Sequence, residues 1–152
     1  MMKNKGFSLI EMMVVVVIIG ILTIVAYPYY RQNVLTSNRI EAKSSLMELS
    51  QLQENFFVEN NRYATNFTEN ELNAAQAGFA RDGGNFVSIN PNLDLINGYY
   101  QLNLIGTNAT YTLTATATGS QTEDTNCIIF TINHVGQKTA TDNTGQPNDK
   151  CW

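Results

Sequence analysis

Residues 7–26 form an almost unbroken apolar run in which Glu11 is the single charge. Coiled as an α-helix, such a run is about 30 Å long, the hydrocarbon thickness of a bilayer. Further along, Ala42, Leu46, Leu49, Leu52 and Phe56 recur at three- and four-residue spacing, with Glu41, Lys43, Glu48 and Glu54 elsewhere. That period predicts a half-exposed helix continuing to about Glu59 and stopping at Asn60-Asn61. Residues 66–97 hold no clear period. They are rich in Asn and Ala, contain Gly83-Gly84, and read as a connecting region with a short helix around Glu69 to Gln76. After them the period becomes two. Tyr100, Leu102 and Leu104 alternate with Gln101 and Asn103, and Tyr111, Leu113, Ala115 and Ala117 alternate with threonines, across a turn at Gly106-Thr107-Asn108. A third strand is predicted over Cys127 to His134, with Ile128, Phe130 and Ile132 on one face and Gly136 ending it, and a fourth within Val135 to Thr141. The pattern predicts an α+β head, an antiparallel meander whose apolar face covers the helix stripe.

Gly20 and Pro28 punctuate the helical pattern. An interior proline removes a backbone hydrogen bond and costs about 3 kcal/mol. A kink near Tyr27 is therefore expected, or else Pro28 simply ends the anchor. The apolar run by itself fits a cleaved secretory signal, a plain membrane anchor or a buried core helix. It is long for a signal, and Ile24-Val25-Ala26 is a poor cleavage site. Glu11 discriminates further, because an ionised carboxylate in a membrane helix is costly without a partner. No cation lies within the run. A cut between Gly6 and Phe7 would create one, an α-amino group a helical turn before Glu11 that an adjacent copy could also use.

Lys3-Asn-Lys-Gly-Phe-Ser-Leu-Ile-Glu11 followed by an apolar helix resembles the class III signal of type IV prepilins. Arg39 to Lys43, Gln53 to Phe57 and Asn61 to Thr65 also resemble the helix and following loop of type IVa pilins, particularly minor pilins. The resemblance implies a leader at 1–6 removed by prepilin peptidase after Gly6, with methylation of Phe7. It implies Glu11 as the assembly residue, and a stretch between Gly20 and Pro28 that can lose helix when subunits pack into a fibre. The implied segments are a transmembrane and assembly helix at 7–28, an amphipathic helix at 29–62 and a globular head at 63–152. The implied partners are other pilin subunits, the inner-membrane pilus machinery and, before assembly, the lipid bilayer. The head would lie in the periplasm first and on an extracellular pilus afterwards.

Composition narrows the alternatives. Of 152 residues 43% are hydrophobic and 14% charged, with nine Lys and Arg against 13 Asp and Glu. From Tyr63 onward only Arg81, Lys138 and Lys150 are basic, against eight acidic residues, which argues against nucleic acid as a partner. Cys127 and Cys151 are the only cysteines and allow one intramolecular pairing, favoured if this part is exported. A Cys127–Cys151 bridge would close the tail into a loop, which is also a pilin feature. His134 is the only imidazole and reads as a strand-end residue. No catalytic triad, phosphate loop or metal cluster is evident, so neither an enzyme nor a cofactor or metal site is expected. Asp142 and Asp149 lack calcium-loop spacing. The expected function is a structural subunit of a type IV pilus. The alternatives are a DNA-uptake or adhesive pilin-like module, or a pseudopilin of type II secretion.

Overall fold

The computed structural model describes residues 7–67, 92–94 and 98–152. The expected leader, the short helix around Glu69 to Gln76, Arg81 and Gly83-Gly84 lie outside the described residues. The chain divides into two compact units, Met1–Thr36 and Ser37–Trp152. One long helix, α1 (Leu9–Asn60), supplies the described part of the first unit and begins the second.

In the second unit the helix stripe is the core face, as its spacing predicts. Ala42, Leu46 and Leu49 are completely buried, and Leu52 and Phe56 pack at the margin. Burying each large aliphatic side chain is worth roughly 1.5–3 kcal/mol. The helix stops where two asparagines stand. Asn61 takes a left-handed φ of 53°, a conformation that asparagine tolerates better than most residues, and its N–H still bonds the Phe57 carbonyl at 2.8 Å. Asn60 Nδ2 donates to the Phe56 carbonyl, satisfying another terminal acceptor.

The sheet is an antiparallel meander in sequence order: β1 (Asn92–Asp94), β2 (Tyr100–Gly106), β3 (Tyr111–Ala117), β4 (Ile129–Asn133) and β5 (Lys138–Thr141). Period-two alternation sorts its faces. Leu102, Ala115, Phe130 and Ala140 pair across four strands and are all buried. Asn103, Thr114, Thr131 and Thr139 form a row on the other face. The sequence predicts four strands and the structure has five, because the three-residue β1 falls inside the stretch read as a connector. Gly136, at φ 73°, makes the turn between β4 and β5 that a residue with a β-carbon would resist.

The tail returns along the outer side of β5. Asn148 N–H donates to the Ala140 carbonyl at 2.9 Å, Thr141 bridges Pro147, and Trp152 Nε1 donates to the Thr139 carbonyl at 2.5 Å. Cys127 and Cys151 are joined as a disulfide that holds this return in place.

Candidate functional site

At the start of α1 the Glu11 carboxylate already has a donor. Its Oε2 accepts the backbone N–H of Ser8 at 2.9 Å, and Met12 N–H bonds the Ser8 carbonyl at 3.2 Å to close the first turn. This is the glutamate half of a Ser-x-x-Glu capping box. The apolar run holds no cation, but the first N–H groups of a helix are unsatisfied donors in their own right. Gly6 is outside the described residues, and Phe7, beside the bond, is 84% exposed.

The rest of the first unit suits lipid or helical neighbours. None of the most apolar 18-residue window is buried within the chain. The Thr23 hydroxyl within the apolar run donates to the Ile19 carbonyl at 2.8 Å and so is satisfied without water. Helix α1 continues through both Gly20 and Pro28. A β-carbon at Gly20 would meet nothing within 4 Å, so no contact inside this chain requires glycine there. Pro28 has no N–H for the carbonyl one turn earlier, and Tyr27, Tyr29 and Tyr30 around it are exposed.

In the second unit a polar cluster grips the helix from the loop after β3. Asn38 Nδ2 donates to Gln121 Oε1 at 2.9 Å, and Gln121 Nε2 donates to the Tyr100 hydroxyl at 3.0 Å. Arg39 binds Asp124 with two parallel bonds of 2.5 and 2.6 Å. The bond to Asp124 raises the Arg39 guanidinium above its ordinary range, and burial pushes the Tyr100 phenol up to about 12, keeping it protonated. On the next turns Gln53 clamps Ala64, donating to its carbonyl at 3.0 Å and accepting its N–H at 2.9 Å. The sequence places Tyr100 on a strand face and Arg39 and Gln53 in the helix, but shows none of these polar contacts.

The C-terminal end collects cations. Lys43 Nζ donates to the Cys151 carbonyl at 3.0 Å, and Lys138 Nζ lies 5.2 Å from the centre of the Trp152 ring. The Asp142 carboxylate is held below the usual range, first by the Thr144 hydroxyl and then by neighbouring backbone N–H groups, which accounts for it as a turn-forming acid. His134 follows β4, with its ring 6.4 Å from those of Tyr63 and Tyr111. Among the described residues, no three His, Cys, Asp or Glu side chains are grouped to hold a metal.

An exposed apolar helix entered through a glutamate, and an α+β head closed by a C-terminal disulfide, together define a type IV pilin-like protein. The chain belongs to that family: residues 28–131 match the family described as type IV minor pilin ComP, DNA uptake sequence receptor. Residues 1–27 match the prokaryotic N-terminal methylation motif. The type IV major pilin protein PilA of Myxococcus xanthus is 42% identical over 83 residues, 55% of this chain and 34% of that protein. The type II secretion system core protein G of Pectobacterium carotovorum is 35% identical over 72 residues, 47% of this chain and 45% of that protein. The matched part thus spans between a third and a half of these relatives. A solved type IV pilin from Shewanella oneidensis aligns with a TM-score of 0.49 and 18% identity, over 78% of this chain and 97% of that one.

Proposed function

We propose that this chain is a minor subunit of a type IV pilus. It is anchored as a precursor by its apolar helix, cut after Gly6, methylated at Phe7, and packed with other pilin subunits through residues 7–28. Prepilin peptidase and the inner-membrane assembly machinery are its processing partners, and the head faces the periplasm before assembly. The observation that carries the reading is the methylation motif over residues 1–27 running into a helix with no buried apolar window. The role is structural: helix surface exchanges lipid for neighbouring helices, and Glu11 sets register against an adjacent amine.

Processing tests it directly. Mass analysis of membrane and sheared-fibre material should find a mature chain starting at methylated Phe7, and Gly6→Phe should leave the precursor in the membrane. An intact Met1 in fibres, or a cut after Ala26, would defeat the assignment.

A second reading, DNA uptake, comes from the description of the matched family. The one structural observation in its favour is the approach of Lys43 and Lys138 to the same C-terminal pair, Cys151 and Trp152. Against it, Arg39 is committed to Asp124 and the chain carries net charge −4. Phosphate binding strengthens with the number of clustered cations and weakens steeply with salt. In a gel shift with short duplex DNA, the detergent-solubilised chain should give no complex that survives moderate salt. A complex that does survive, and that Lys43→Glu with Lys138→Glu abolishes, would move the chain to this second reading.

A further inference from the structure

We propose that Tyr27, Tyr29 and Tyr30 form a girdle seated at the boundary between hydrocarbon and headgroups, which fixes how deeply the unassembled subunit sits in the bilayer. This depth rests on the anchoring proposed above. The helix from Phe7 to Tyr27 is about 30 Å long, so a helix that enters one boundary at Phe7 reaches the other at these tyrosines. The sequence changes there as well: Glu11 is the only charge from Phe7 to Tyr30, and Arg31 follows directly. All three rings stand exposed. At about 100° per residue they fall at about 0°, 200° and 300° around the axis, which encircles the helix instead of marking one face. A docked protein touches one side, whereas a lipid boundary touches every side.

The hydroxyls separate these tyrosines from those of the head. Tyr100 and Tyr111 are buried, and their hydroxyls meet Gln121 and Ser50 at 3.0 and 2.8 Å. Among the described residues, no group bonds the hydroxyl of Tyr27, Tyr29 or Tyr30. An apolar ring and a hydroxyl in need of a wet partner are satisfied together where hydrocarbon meets headgroups. Pro28 lies in the same turn. It leaves the Ile24 carbonyl without its usual donor, a defect that is costly deep in hydrocarbon and milder within a turn of headgroup water.

NMR of the full chain in lipid bicelles, with a water-soluble gadolinium chelate added, reads depth amide by amide, because amides near water are broadened. In the native chain the protected stretch should end within residues 27–31. Tyr27→Phe, Tyr29→Phe and Tyr30→Phe together keep the rings and remove the hydroxyls. The segment should then sink, and protection should extend by about one turn, roughly four residues, toward the head. Tyr→Trp at the same three positions retains a polar N–H on an interfacial ring and should keep the native limit. Head signals in the same spectra report that each variant is folded. A native limit elsewhere, an unmoved limit in the triple Tyr→Phe variant, or an equal shift in the triple Tyr→Trp variant would overturn the girdle and leave the anchor. Broadening throughout residues 12–26 would remove the anchor itself, and the girdle with it.

Discussion

Replacing Cys151 with serine is expected to lower the stability of the head by about 2–5 kcal/mol, the usual cost of losing a bridge in a small exported domain. The bridge closes a loop with a sequence separation of 24, and more than loop entropy depends on it. The segment it ties down carries the Asn148 bond to Ala140, the Trp152 bond to Thr139 and the carbonyl that receives Lys43. Free of the disulfide, these contacts must order a sparsely apolar tail unaided. Denaturant unfolding of the full chain in detergent, native against Cys151→Ser, measures the effect through the midpoint at constant slope. Thiol labelling of denatured, unreduced native protein should find no reactive cysteine. An unchanged midpoint would mean that the tail is held by its hydrogen bonds alone.

The next largest effect is expected at Asp124. Its side chain is 2% exposed and that of Arg39 20%, so Asp124→Ala strands a guanidinium that can reach only a little water. Breaking one side of a buried pair typically costs about 3–5 kcal/mol, and the partial exposure of Arg39 places this case near 3. Gln121 also loses its 3.3 Å bond to Asp124 Oδ2. Removing both partners should be milder than removing Asp124 alone, because no uncompensated charge then remains. Denaturation of the two variants checks this. A loss below about 1 kcal/mol in Asp124→Ala would show that apolar packing, and not this pair, fixes the helix on the sheet.

Much of the fold was legible because it is periodic. The stripe from Ala42 to Phe56 and the alternation in β2, β3 and β4 each repeat a burial requirement several times, so single exceptions do not hide it. The helix end was legible through Asn60-Asn61. Strand β1 was not, since three residues show no period and its pairing with β2 is set by the partner's register. The Asn38–Gln121 bond and the Arg39–Asp124 pair join residues 83 and 85 positions apart, and such pairs become visible only once topology brings them together. Gln53 looked like an ordinary polar position within the helix and is completely buried, because the chain turns back and offers it both backbone groups of Ala64. The start of the helix was half legible. Side-chain identity singled out Glu11, while its immediate partner, a backbone N–H, exists at every non-proline residue and acquires meaning only from where the helix begins.

The returning tail has a consequence for how many ways this subunit can polymerise. A strand at the border of a sheet is a template for another strand, and a protein stored at high density in a membrane or fibre presents that template many times over. Covering β5 with the chain's own C-terminal segment leaves strand addition blocked on that side. A cross-sheet aggregate, which would be close to permanent, is thereby denied one of its two borders.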